Sequence, residues 1–154
     1  MPRAALFLAR FCTSAWIGAA TLFVVVGVIE VTRGGFDVTT KDTLVGLRFP
    51  PFYRAGMILT GLAWLGACLA DRHPQLPQRR RAFAILSLLA VFALLVIDFR
   101  WIYAPLYGMV NPPGQAKPAS FVTYHHVSKY INFAGLIFAW VAAIALNWPA
   151  RDSE

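Results

Sequence analysis

Apolar residues run almost unbroken through four stretches of the chain, 11–31, 52–70, 82–104 and about 122–148, while charged and helix-breaking residues collect between them. A helix rising 1.5 Å per residue needs roughly 20 mainly apolar residues to cross a hydrocarbon core about 30 Å thick. Each stretch approaches or exceeds that length, so the pattern predicts four transmembrane helices with little chain left for a soluble domain. The expected fold class is all-α: an integral membrane four-helix bundle, residues 1–154 as one domain, with antiparallel up-down topology. Arg3 and the apolar run behind it have the look of a secretory signal. The run, however, exceeds the roughly 7 to 15 residues of a signal core and no short small-x-small cleavage site follows it, so it reads as a retained helix.

The connections carry the turn chemistry. Residues 34–51 open with Gly34-Gly35 and close with Pro50-Pro51, where proline suits the first turn of helix 2 because its missing N–H costs nothing there. Pro74 and Pro77 interrupt 71–81, and Pro112-Pro113-Gly114 and Pro118 mark 105–120. Ser14 with Gly18, Gly56 with Thr60, and Ala63 with Ala67 are four apart, so each pair shares a helix face and permits close backbone approach. Helices 1 and 2 are therefore expected to pack tightly. The bulkier helices 3 and 4 are expected at the periphery or against a partner, and most of the tryptophans and tyrosines read as interfacial anchors.

Composition supports the membrane class: of 154 residues 58% are hydrophobic and only 14% charged, with a mean hydropathy of +0.60, against about a quarter charged in soluble domains. The net charge of +7 raises the possibility of nucleic acid, but the cations sit in loops and at helix ends, so no nucleic-acid partner is expected. Arg3, Arg10, Arg72, Arg79, Arg80, Arg81 and Arg151 fall on one side; Arg33, Lys41, Arg48, Arg54 and Lys117 fall on the other or at its border. The triple arginine dominates the positive-inside bias and places both termini in the cytoplasm, in a bacterial inner (plasma) membrane. The bilayer is the first partner; a larger membrane complex or a homo-oligomer is the second. Cys12 and Cys68 then lie toward the cytoplasm and read as small packing residues, not a disulfide.

Antiparallel helices bring Glu30, Arg33, Arg54, Asp98, Arg100, His125, His126, Lys129 and Asn132 to the extracytoplasmic end. Asp98 is expected about 10 Å below the end of helix 3, deep enough that it needs a partner or water. Asp98 and Arg100 are two apart and cannot face one another, so Arg54 and Lys129 are the first candidates for its partner. His125, Ser128, Lys129 and Asn132 recur at spacings of three and four and form a polar stripe on helix 4. The candidate ligand site is thus Arg54, Asp98, His125, Ser128, Lys129 and Asn132, lining a shallow extracytoplasmic pocket. The same groups could equally form a hydrogen-bonded clasp that fixes helix register.

His125 or His126 with Met57 and Met109 offers the imidazole and thioether ligands that suit Cu(I), which makes a copper-like ion the candidate metal, with His125 and Met57 as its first ligands. No HxxxH, CxxC or methionine-rich run accompanies them. Haem is not expected within one chain, because His73 lies at the opposite end of the bundle from His125 and His126. No nucleophile and base pair can be assembled, so an enzyme is the less favoured reading.

Phe121, His125, Ser128 and Asn132 stand at the spacing F-x3-H-x2-S-x3-N. With Trp16-Ile17-Gly18 and Phe23, Phe49-Pro50-Pro51-Phe52-Tyr53, and the stretch from Arg100 to Pro105, this resembles the transmembrane protein 205-like family, four-helix membrane domains of unknown function. The resemblance implies a multi-pass membrane protein and, through a broader similarity to copper-resistance membrane proteins, a link to metal. Sulfur ligands matching a transport motif are not evident around Cys12 or Cys68. Two functions follow: a membrane protein whose polar pocket binds or passes a small ligand or metal ion, or a non-catalytic accessory subunit of a larger membrane complex.

Overall fold

Pro2 occupies the first turn of a helix, where a missing N–H is harmless, and the chain stays helical from there to Thr32 (α1, Pro2–Thr32). The structure, a computed structural model, describes residues 2–71 and 73–149. Four further α-helices follow: α2 (Val38–Leu69), α3 (Gln78–Ile97), α4 (Ala104–Val110) and α5 (Ser120–Asn147), with a π-helical turn at Asp98–Tyr103 between α3 and α4. No strand occurs among the described residues. Because α3, the π turn and α4 run on as one rod, four long helices are apolar enough to span a membrane. Arg72 and Arg151, two of the cations assigned above to the cytoplasmic side, lie outside the described residues.

The apolar stretches are where the pattern places them, but the helices outrun them at three ends. α1 starts at Pro2 and not near residue 11, because Leu6 and Ala9 already face the core while Arg3 points outward. α2 starts at Val38 and not at 52, so Pro50 and Pro51 lie inside it. Each proline removes one i→i−4 hydrogen bond; the packing of Phe49, Phe52 and Tyr53 onto Trp16, Phe23, Phe99 and Tyr103 holds the helix together on either side of the gap. The third rod passes Pro105, where a stop was expected. The π turn explains the continuation: the Ala104 N–H donates to the Phe99 carbonyl five residues back, a widened register next to a residue that has no N–H to give.

α1 packs on α2 through close backbone approach. A Cβ on Gly66 would lie 2.7 Å from the Ala5 carbonyl oxygen and 2.9 Å from the Ala9 nitrogen, and one on Gly56 would lie 2.6 Å from the Trp16 ring. The α2 face expected to be close-packed, Gly56, Thr60, Ala63 and Ala67, is indeed buried. Its α1 counterpart is Ala9, Cys12, Thr13, Trp16 and Ala20, not Ser14 and Gly18, which are exposed and border a cleft with α5. α3 packs on α5 as well as on α2, so it is not peripheral.

Two core clusters result. One joins Leu6, Ala9, Ala63, Ala67, Leu88 and Leu146; the other joins Trp16, Tyr53, Val91, Leu95, Tyr103 and Ala139. Trp16, Tyr53 and Tyr103 are therefore interior, while Trp64, Trp101, Trp140, Trp148, Tyr107 and Tyr130 remain exposed as anchors would be. Around the outside, Phe7, Leu22, Val28, Ile58, Phe83, Leu86, Phe133 and Ile144 are exposed. A soluble monomer seldom exposes apolar surface on this scale.

Candidate functional site at Asp98

Tyr53, Gly56, Thr60, Ala63 and Ala67 follow one another at intervals of three and four, which keeps them on one inward face of α2. Tyr53 is the large residue of that face and has no exposed surface. Its hydroxyl donates to Oδ2 of Asp98 at 2.6 Å. Asp98 opens the π turn and is 0% exposed. From α5, the Ser128 hydroxyl reaches the same Oδ2 at 3.0 Å, and the Asn132 side-chain amide also donates to it. That amide further contacts the Ser128 carbonyl at 2.9 Å, which fixes its direction. Three donors from two helices thus converge on one carboxyl oxygen.

The other oxygen, Asp98 Oδ1, is buried without a hydrogen-bond partner among the described residues, and so is the Tyr103 hydroxyl. The Tyr103 ring belongs to the aromatic cluster around Tyr53, which lies 5.2 Å from both Phe99 and Tyr103 between ring centroids, tilted by 51° and 46°. A buried polar atom left unpaired costs about 1–3 kcal/mol, and more for a charged group. No cationic side chain touches Asp98 among the described residues.

The partner expected for Asp98 was a cation; the partners found are neutral donors. Arg54 and Lys129 are exposed, as is Arg100. Arg54 is adjacent to Tyr53 in sequence but about 100° away around the helix, so α2 cannot turn both inward. The polar stripe on α5 divides in the same way: Ser128 and Asn132 face Asp98, whereas His125 and Lys129 face outward, with His125 stacked on Phe121 at 6.1 Å. Asp98 is also deeper than expected, about 18 Å from Val110 at the end of its rod, because the rod continues past Pro105.

Of the six residues proposed as a ligand site, the structure brings together Asp98, Ser128 and Asn132. Met57 packs against the core beside Trp16 and Tyr53 while His125 is on the outer face of α5. Among the described residues, no group of three or more His, Cys, Asp or Glu side chains is arranged to hold a metal ion. Cys12 and Cys68 are free thiols.

Comparison with protein-family models, with curated proteins and with solved structures returned no match for this chain.

Two more polar nodes lie toward the loops. Glu30 pairs with Arg48, whose guanidinium sits 4.9 Å over the Phe23 ring. Asp42, almost wholly buried, pairs with Lys117 at 2.8 Å and accepts from the Gly114 N–H at 3.1 Å. Gly114 has φ +84 and a Cβ there would strike Thr39 Oγ1 at 2.6 Å, so the site requires glycine. Sequence reasoning missed Tyr53 and Asp42. The three-four spacing of Tyr53 with the small residues of α2 was a usable signal for the first; nothing local marks the second, whose partners come from about 70 residues away.

Proposed function

We propose that the chain is a multi-pass membrane protein of antiparallel up-down topology, with both termini cytoplasmic in a bacterial plasma membrane, and that the Asp98 centre binds or passes a small cation. One observation carries the reading: a carboxyl group wholly buried in the bundle, with three neutral donors on one oxygen and, among the described residues, none on the other. Ionisable groups at such depth are expensive unless paired or solvated, and for that reason mark functional sites. A second buried oxygen without a partner among the described residues, the Tyr103 hydroxyl, is on a ring packed against Tyr53. The apolar exterior of all four rods supports insertion, and the meeting of Ala5 and Ala9 with Gly66, of Trp16 with Gly56 and of Gly27 with Arg48 supports antiparallel packing. The kinship suggested by Phe121, His125, Ser128 and Asn132 fits this reading, with Ser128 and Asn132 as its contributors to the centre.

A second reading is favoured by the three donors themselves: Asp98 ties α2 and α5 to the π turn and serves as the clasp of a non-catalytic subunit in a larger membrane complex. Asp98→Asn separates the two. Asparagine keeps an acceptor oxygen for Tyr53 and Ser128 but loses the charge. In nanodiscs, titration with Li⁺, Na⁺ and K⁺ chlorides raises the melting temperature of a cation-binding protein in an ion-selective manner, and Asp98→Asn abolishes the increment. A wild-type protein indifferent to all three ions, co-purifying with other subunits, makes Asp98 a clasp.

A further inference from the structure

At the end of the bundle where α1 begins and α5 ends, α1 and the loop before α3 border a cleft of about 650 Å³ lined by Pro2, Arg3, Leu6, Phe7, Arg10, His73, Pro74 and Gln75, within the range of small-ligand sites. Its charged lining among the described residues is basic: Arg3 and Arg10, with His73 beside them. Among the described residues Arg10 is anchored by neutral acceptors, donating Nε to the Leu146 carbonyl at 2.9 Å and Nη1 to Gln75 Oε1 at 3.3 Å. Its guanidinium therefore keeps further N–H donors and its full charge. His73 Nδ1 accepts from the Gln75 backbone N–H at 3.2 Å, which leaves Nε2 as the N–H donor of the neutral ring. Arg3 is exposed on the same rim. The nearby acid Asp71 is engaged by Arg81.

The cleft also has an apolar continuation. Phe7 borders it, is 69% exposed, and stacks on the equally outward Phe11 at 6.1 Å between ring centroids. Donors around a basic hollow, opening onto an aromatic track that runs away from the helix end, match a phosphodiester joined to an acyl chain. We infer that this cleft is a binding site for the headgroup of an anionic phospholipid, with Arg3, Arg10 and His73 holding the phosphate and Phe7 and Phe11 lying along the chain. Guanidinium is the side chain best suited to phosphate oxygens, and basic hollows at the cytoplasmic ends of membrane helices take such headgroups. The inference rests on the membrane-spanning reading but not on the Asp98 centre.

The test is vesicle flotation followed by native mass spectrometry of protein released from nanodiscs containing equal phosphatidylglycerol and phosphatidylcholine. The protein floats with the vesicles and retains phosphatidylglycerol selectively. Each cation removed, in Arg3→Gln or Arg10→Gln, weakens retention about fivefold; His73→Ala also lowers it, and Arg33→Gln, just past the other end of α1, leaves it unchanged. Because Arg10→Gln also disturbs the α5 contact, Arg3→Gln and His73→Ala carry the result if that variant does not fold. Failure to float overturns the membrane reading and the site with it. Flotation with equal retention of both lipids, or with selectivity untouched by Arg3→Gln and His73→Ala, overturns the site alone. Displacement of the lipid by millimolar inorganic phosphate makes it a site for the free anion and overturns the lipid assignment.

Discussion

Tyr53 donates its hydroxyl hydrogen to Asp98 across 2.6 Å, and neither residue has any exposed surface. This bond crosses from the middle of α2 to the one turn of the third rod that leaves α-helical register. Position and register are linked: the π turn precedes Pro105, and the Ala104-to-Phe99 hydrogen bond that defines it bridges the stretch where proline would otherwise interrupt the helix. Asp98 thus sits where the backbone is already irregular, as polar sites in helical bundles often do.

Tyr53→Phe removes that donor and preserves the ring packing. Hydrogen bonds inside membrane bundles contribute about 0.6 kcal/mol on average and up to about 1.7, and bonds to charged groups lie toward the upper end. A loss of about 1 kcal/mol is expected, read as a lower thermal midpoint in mild detergent. An unchanged midpoint would show that Ser128 and Asn132 suffice for Oδ2.

The close approaches on α2 differ in what opposes them. At Gly66 the opposing atoms are the Ala5 and Ala9 backbone; at Gly56 they are the Trp16 ring and, at 3.1 Å, Leu95 Cδ1. Gly66→Ala is expected to force α1 away and cost about 1–3 kcal/mol, the usual range for overpacking, with no side-chain substitution able to relieve it. Gly56→Ala costs a similar amount, but Trp16→Phe relieves part of it. A double-mutant cycle on melting free energies gives a coupling well above 0.5 kcal/mol for that pair; strict additivity would mean that Trp16 already moves aside.

Which parts of this fold could be read in the sequence follows from what each signal measures. Apolar runs report burial in lipid, and they locate the four rods; they do not report helix ends, because Pro2–Arg10 and Val38–Pro51 are helical while carrying charge or proline. Expecting a start at Pro50-Pro51 and a stop at Pro105 treated proline as a helix boundary, whereas flanking aromatic packing and a π turn each carry the helix past it. At the site, Asp98, Ser128 and Asn132 were legible from depth and spacing. Their fourth member was not, since the charge of Arg54 drew the assignment one residue from Tyr53, and a step of one residue turns the side chain by about 100° around the helix.

Arg48 is held by two different interactions, the Glu30 carboxylate and the face of Phe23. Lysine can satisfy the first but lacks the planar group that stacks on an aromatic ring. Arg48→Lys is expected to destabilise by about 0.5–1 kcal/mol, and Phe23→Leu in the same background to cost less than it does in the wild type. Equal costs in both backgrounds, measured by chemical or thermal melting, would assign the stabilisation to the ion pair alone.

Asp37 caps α2: its carboxylate accepts from the Thr40 backbone N–H at 2.8 Å. Hydrogen bonding from the Thr40 side chain and backbone holds its pKa below the ordinary value of 3.8. A group whose folded pKa is depressed contributes stability above its unfolded value and loses that contribution as pH falls through the folded one. The first turn of α2 is therefore intact at neutral pH and loosens only in acid below 3.8. The Thr40 amide resonance, followed by NMR in a detergent micelle, should titrate with a midpoint under that value and should not titrate in Asp37→Ala. A midpoint at or above it would mean that the carboxylate spends its time in water and that α2 begins without a charged cap.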